Sequence, residues 1–486
     1  MSKLIKKVAQ KIAVDYCNLS IVENPDGFLT QDIVCQLLTQ ECGIVVVSGS
    51  NLQLRIHYEL HYKHNPQNKF VYVCQSKASI LADMKQFAYV TEFSVSDVFP
   101  LFADKTLVRK QSFEVLDKLY EQVGTRKVAL QECGQLVKTI SKDIEEQKRR
   151  SAEFFSAQLT DVELDWNTPI ATIQQVSRII RKAIKEGVYD GVAIGIDAIN
   201  ESFQQWVDKE YFATLQSNPL KRAKSVNKIL PHIEANFAKE DKVALFVVDG
   251  FAYWQYTILK DFLKQVCFTI DDGCTLAWMP SITMLSRQAI FRGAEPQQDY
   301  KQSPENERKL WTEYWQYRGF NQFEIQYIYD TDEFAIKEGV KRLAVVTVEM
   351  DEKMHSSTDY KDLHSLTENW CNRIIERLKT IIDAGYTLYL TTDHGSVLSQ
   401  GWRPLSQMEK VFLYKDGSRG MRHLIYNNRE EQERFFNNNL DLPMIKHDNW
   451  MSIRNDSCFA KENKRIITHG GSHFMEMVIP LVKIKK

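Results

Sequence analysis

The stretch Lys242–Gly250, KVALFVVDG, decides the fold. Its unbroken apolar run has the length of a strand and lacks the alternation of a half-exposed one, so both faces must be covered. Three more runs share this character, each followed by a helical pattern: TLAWM (275–279), RLAVVTVEM (342–350) and TLYLTTD (387–393). Strands alternating with helices predict an α/β fold with a mostly parallel sheet flanked by helices. Function in such folds sits beyond the carboxyl ends of the strands. Polar residues fall there: Asp249 closes one strand, Asp351 follows another, and Asp393 with His394 ends a third.

Upstream of Lys242 the texture differs. Residues 1–105 alternate helix-like stretches with two apolar runs, GIVVVSGS near Val45 and KFVYVCQS near Val71, which predicts a small α/β domain. Residues 106–239 are mostly amphipathic and charge-laced, as in VRKQSFEVLDKLYEQV and QVSRIIRKAIKEG, which predicts a helical connector or cap. Residues 240–486 carry the strands and form the expected catalytic domain. The mixed-charge block KDIEEQKRRSAEFF reads as a solvated helix face.

The net charge of -1 gives no global attraction to nucleic acid or anionic membrane, so polyanion binding would need a local basic cleft. No run of about 18 apolar residues occurs, and the opening MSKLIKKVAQKIAVDYC reads as a short amphipathic helix without a signal peptide's apolar core. The expected location is cytoplasmic. The nine cysteines are scattered, without a C-x-x-C pair, and read as reduced thiols.

Five short pieces carry the chemistry: VVDG ending at Gly250, PSIT at Thr283, DEKMH at His355, TTDHG at Gly395 and ITHGG at Gly471. Together they supply a hydroxyl, three aspartates and three histidines, a mixed N/O set suited to a pair of divalent metals about 4 Å apart. Gly250 lets the backbone turn after Asp249, although Asp-Gly is also a common turn. Thr283 precedes a helical run that stops at Gly293. It either caps that helix or presents its hydroxyl, as a nucleophile, where free N–H groups favour an incoming phosphate. Arg287, one turn on, either steadies the phosphate or pairs with a carboxylate. Asp351 and His355 share a face if their segment is helical. Asp393 and His394 abut at the tip of a buried strand and need a partner such as an ion. His469 precedes two glycines that relieve crowding. Glu476 reads as a structural hydrogen-bonding residue and His473 as structural or supporting, while His364 and His423 have no such context.

The order of these pieces resembles the alkaline phosphatase superfamily. The phrases LFVVDGFAYWQY, PSITMLSRQAIFRG, VEMDEKMH, LYLTTDHGSVLSQGW and ITHGGSHFMEMVIP look like its PglZ branch, found in bacterial phage-defence (bacteriophage exclusion, BREX) systems. The resemblance spans Asp249 to Pro480, about half the chain. It implies an alkaline phosphatase-like core with Thr283 as nucleophile. By the same resemblance Asp351, His355 and His469 ligate one metal, and Asp249, Asp393 and His394 the other, together with the Thr283 oxygen. It also implies attack on phosphorus through a phosphothreonine intermediate. A sulfatase fits worse, since threonine cannot become formylglycine, although Arg287 matches the sulfatase motif.

Asp/His ligation suits zinc or manganese. The expected function is a metal-dependent phosphodiesterase or nuclease in phage defence, acting on nucleotide or nucleic-acid phosphodiesters beside other defence proteins, away from membranes. The same residues would serve a phosphomonoesterase or phosphomutase. From another class, the chain would be a scaffold of a defence complex with a structural or partner-activated metal site.

Overall fold

A computed structural model describes residues 2–124, 126–218, 221–297, 299–330, 333–414 and 420–486. The chain divides into two compact units, Met1–Lys148 and Arg149–Lys486, the division falling within the helix Leu130–Thr160. The helical stretch read over residues 106–239 is therefore shared between the units.

In the first unit β1 (Leu19–Glu23), β2 (Ile44–Ser48), β3 (Lys69–Cys74) and β4 (Tyr89–Glu92) form a parallel sheet in the order β2-β3-β1-β4. β2 and β3 are the two apolar runs read from the sequence. β1 (LSIVE) and β4 (YVTE) are short and mixed with polar residues, so no apolar run marks them. The N-terminal amphipathic helix is Lys3–Ile12. It buries Leu4, Ile5, Val8 and Ile12 on one face, and the Ser2 hydroxyl accepts from the Ile5 N–H as its cap.

The second unit holds β5 (Val243–Val248), β6 (Thr269–Asp271), β7 (Cys274–Leu276), β8 (Ile325–Tyr329), β9 (Arg342–Thr347) and β10 (Thr387–Thr392). Further along come β11 (Val397–Gly401), β12 (His423–Ile425), β13 (Met444–His447) and β14 (Trp450–Ile453). β15 (Ser457–Cys458), β16 (Arg465–Thr468) and β17 (Val478–Lys485) complete the set. The main sheet runs β6-β17-β10-β5-β9-β8, with β7 also on β17; β10, β5, β9 and β8 are parallel and β17 is antiparallel to β10. Two three-stranded sheets, β15-β11-β16 and β12-β14-β13, lie outside it.

Every residue of β5 and β9 is buried, as their unbroken apolar runs require. The helices Ile170–Lys185, Tyr253–Gln265 and Tyr360–Asp383 pack on one another and share an apolar core with the sheet through Val176, Ile180, Ile258, Leu259 and Leu378. Each such side chain contributes roughly 1.5–3 kcal/mol. TLAWM is not a core strand. Only Cys274–Leu276 is extended, antiparallel on β17, because the chain must leave the sheet at Trp278 and Met279 to enter the turn at Pro280. β5 comes first in the unit yet lies mid-sheet, between β9 and β10. The carboxyl ends of these three neighbours therefore converge, and a crevice at such an order reversal is where ligands bind in open α/β sheets.

Candidate metal centre

Asp249 directly follows β5, and its N–H donates to the Thr347 carbonyl at the end of β9 (2.8 Å), which fixes the height of the two strand ends. Gly250 has φ +68°, and a Cβ there would lie 3.1 Å from Asp351 Cα. Only glycine allows both the left-handed turn and this approach. The segment after β9 is helical (Glu349–Ser356), so Asp351 and His355 share a face, with His355 Nε2 3.5 Å from Asp351 Oδ2. Asp393 and His394 follow β10.

His469 follows β16. That strand pairs antiparallel with β11, with Thr468 opposite Val397. This register sets the residues before β11 beside those after β16. His394 and His469 stack there, with ring centroids 3.7 Å apart and planes 8° from parallel.

Thr283 is the first residue of the helix Thr283–Arg292, which ends at Gly293. No side chain caps this terminus, so the threonine is not acting as a cap. Its hydroxyl instead lies 3.1 Å from His394 Nε2 and 3.4 Å from Asp249 Oδ1. Of the two roles open to Arg287, the structure realises the ion pair. Its guanidinium, 3% exposed, donates to Asp249 Oδ2 (2.8 Å) and Glu307 Oε2 (2.6 Å), which holds the Asp249 carboxylate in place. Glu307, fully buried on the helix Pro304–Tyr317, was not singled out in the sequence, where PENERKLW looks like a solvated helix start.

Both stacked imidazoles have one nitrogen engaged. His469 Nδ1 lies 3.0 Å from the Ser281 carbonyl and His394 Nδ1 2.9 Å from the Gly395 carbonyl. A carbonyl only accepts, so each Nδ1 carries the proton and each Nε2 lone pair faces the cluster, the arrangement a metal-ligating histidine adopts. Asp393 Oδ1 accepts from the N–H groups of Gly250 (3.1 Å) and His394 (3.0 Å). Its Oδ2, 3.8 Å from His394 Nε2, and Asp351 Oδ1 accept no hydrogen bond among the described residues, although both are buried.

Two buried carboxylates, Asp249 and Asp393, and the half-buried Asp351 thus lie around one guanidinium, which bonds only Asp249 among them and is also held by Glu307. Burial and then the Asp249 charge push the Asp351 carboxyl up to about 6, and the same two causes push Asp393 well above the usual carboxylate range. Burial and then His394 hold His469 well below the usual imidazole range, and burial also lowers His355. Asp351 and Asp393 are raised while His355 and His469 are depressed, as expected of groups whose positive counter-charge comes from outside the chain. Two overlapping groups have donor atoms within 4.8 Å of one another: Asp351, His355 and His469, and Asp249, Asp351 and His394. The unpartnered carboxylate oxygens, free Nε2 lone pairs and mixed N/O donors all fit divalent metal ions.

Glu476 and His473 stand behind this centre. Glu476 is fully buried, binds Arg422 through both oxygens (3.0 and 2.8 Å) and accepts the Gly471 N–H (2.8 Å), fixing the turn after His469. A Cβ at Gly471 would fall 2.6 Å from the Ile453 carbonyl oxygen, which explains the glycine. His473 accepts from the Met475 N–H as the cap of a short helix. Arg422 and Ser281, whose hydroxyl donates to the Gly471 carbonyl (2.8 Å), were also missed in the sequence. A cavity of about 1060 Å³ adjoins the helix Thr283–Arg292 at Met284 and Leu285; Trp278, Tyr300 and Trp450 also line it.

These features place polar donors at the carboxyl ends of the central parallel strands of an α/β fold. Residues 229–484 match the family described as the BREX system PglZ alkaline phosphatase-like domain, more than half of the chain, and the chain belongs to that family. Among solved structures it is similar to phosphonoacetate hydrolase from Sinorhizobium meliloti 1021 in complex with phosphonoacetate. That match has 9% identity over 50% of this chain and 89% of that one, with a TM-score of 0.36. It is also similar to murine ectonucleotide pyrophosphatase/phosphodiesterase 5, at 14% identity over 50% and 88% of the two chains, TM-score 0.31. The human form of the latter matches at 11% identity over 50% and 87%, TM-score 0.30. No curated protein matches the chain. Among the described residues no helix is long and apolar enough to cross a membrane.

Proposed function

We propose that the chain is a metal-dependent phosphodiesterase acting on nucleotide or nucleic-acid phosphodiesters in phage defence, with Thr283 as nucleophile. The observation that carries this reading is the Thr283 hydroxyl, held within 3.4 Å of Asp249 and 3.1 Å of His394 and turned toward the donor groups rather than its own helix. Asp351, His355 and His469 would hold one ion, and Asp249, Asp393 and His394 a second. Zinc or manganese bound there would supply Lewis-acid polarisation of the phosphoryl oxygens and lower the pKa of the threonine hydroxyl.

The remaining work falls to the chain. Arg287 fixes Asp249 so that Oδ1 faces the hydroxyl, and the uncapped helix terminus offers N–H groups and positive dipole to the phosphate oxygens. Attack by Thr283 Oγ1 forms an O–P bond as the bond to the leaving alcohol breaks. The resulting phosphothreonine ester is then cleaved by water, which regenerates the hydroxyl. The aromatic-lined cavity beside Met284 leaves room for a bulky second ester group, which favours a diester over a monoester. The PglZ membership supports the link to phage defence, and with it other defence-system proteins as partners and a cytoplasmic location.

The test compares wild type and Thr283→Ala, each loaded with zinc or manganese, on bis-p-nitrophenyl phosphate and its monoester. Diester turnover should fall by about 10³-fold or more in the variant and vanish on chelation. Faster monoester than diester turnover would make the enzyme a phosphomonoesterase. No turnover of either ester by the metal-loaded protein would favour a scaffold.

A further inference from the structure

The helix Ile170–Lys185 carries four cations, Arg178, Arg181, Lys182 and Lys185, and no acid. Among the other long helices Leu130–Thr160 has five acids and five cations, Tyr360–Asp383 has four of each, and Ala193–Leu215 has four acids and one cation, so none shares this basic bias. Like charges three and four residues apart repel, so a one-sign face costs stability that a mixed face would not. The neighbouring helix Tyr253–Gln265 packs against it and adds Lys260 and Lys264 with one acid, Asp261.

Between the two lies a groove of about 370 Å³ into which all six cations turn. Two are neutralised: Arg181 bonds Asp261 (2.5 Å) and Lys260 pairs with Asp272. Arg178, Lys182, Lys185 and Lys264 have no ion pair among the described residues, and all four are exposed. None of these residues belongs to the metal centre.

From this predominantly basic groove, lined by six cations and the single acid Asp261, in a chain of net charge -1 we infer that the helices Ile170–Lys185 and Tyr253–Gln265 form a binding site for the phosphate backbone of nucleic acid, separate from the metal centre. Exposed Arg and Lys heads offer charge-assisted donors to successive phosphates without paying for desolvation beforehand. The hollow shape selects among polyanions. A strand can lay its phosphates into a groove, whereas a flat bilayer of anionic headgroups reaches only its rim. The site would retain a nucleic-acid substrate while the metal centre cleaves it, but binding is read without turnover, so the two readings fail separately.

The test measures binding of a fluorescein-labelled single-stranded DNA of about 20 nucleotides by anisotropy between roughly 50 and 200 mM salt. It uses full-length wild type, the triple variant Arg178→Glu/Lys182→Glu/Lys264→Glu, and Thr283→Ala. Wild type and Thr283→Ala should bind alike. The triple variant should bind at least about tenfold more weakly, with a salt slope smaller by about 2. Its melting temperature should be no lower than that of wild type, since the repulsion between like charges is relieved, and its turnover of bis-p-nitrophenyl phosphate should be unchanged. Equal DNA binding by the folded triple variant, or no DNA binding by wild type, would overturn the site. So would charge-dependent capture of phosphatidylglycerol vesicles in preference to DNA. A triple variant that fails to fold is replaced by Arg178→Gln/Lys182→Gln, expected to show a weaker loss of the same kind and overturned by none.

Discussion

Two buried clusters of charge in the second unit handle the same problem differently. Around Arg422 the account closes within the chain: Glu476 meets the guanidinium with both oxygens, and the carbonyls of Asn455 and Ser457 accept its remaining N–H groups. Around Asp249 it does not. Of three aspartates only Asp249 reaches the guanidinium, two carboxylate oxygens lack hydrogen bonds among the described residues, and Asp351 and Asp393 shift up while His355 and His469 shift down. A closed cluster reads as architecture and an open one as a site for cations. Burial alone does not separate them, since Arg422, Glu476 and Asp393 are all 0% exposed.

The largest expected effect tests the closed cluster. Arg422→Leu leaves the Glu476 carboxylate buried and unpaired and should cost about 3–5 kcal/mol in urea denaturation. A variant as stable as wild type would mean that water reaches Glu476 and that the cluster is not closed. The open cluster should respond to metal instead. Zinc at about 100 times its dissociation constant should add about 2.7 kcal/mol to wild type, read as a rise in melting temperature that chelation reverses. Asp351→Asn should lose most of that gain.

A third buried group sharpens the comparison. His364, 3% exposed and stacked on Trp254, is held down to about 4 by burial and then by the charges of Arg181 and Lys185. The fold favours its neutral form. Its contribution is therefore complete above the unfolded value near 6.5 and is lost as pH falls toward 4. Between pH 7 and 4 wild type should lose about 2 kcal/mol more than His364→Phe in denaturant melts. Identical pH profiles would show that the imidazole is solvated. The smallest effect returns to the open cluster: without metal, Asp351→Asn should be more stable than wild type by about 1 kcal/mol, because a repelling carboxylate is gone. A loss instead would mean that the aspartates are held by contacts within the chain.

The central strands and the donors at their tips were legible because one physical pattern marks both. An apolar run closes on a charged residue that has no reason to be buried without a partner, as at Asp249 and at Asp393 with His394. Spacing put Asp351 and His355 on one face only if their segment were helical, a condition the helix Glu349–Ser356 meets. What pairs across long sequence separations was not legible. Nothing in PENERKLW says that Glu307 turns inward to Arg287, and Arg422 reaches Glu476 from 54 residues away. The stacking of His394 on His469 depends on the β11–β16 register, which neither short strand announces. Arg287 was legible as a residue but not in its role, because both a phosphate and a carboxylate call for a guanidinium.

The nucleophile is the claim on which the rest depends, and trapping its covalent adduct tests it most directly. Metal-loaded protein turning over bis-p-nitrophenyl phosphate would be quenched in acid, digested and mapped by mass spectrometry. The account predicts a nitrophenylphosphoryl adduct on Thr283, absent from Thr283→Ala along with turnover. Undiminished turnover by Thr283→Ala, with no adduct on the wild-type peptide, would contradict it and leave water as the direct attacking group.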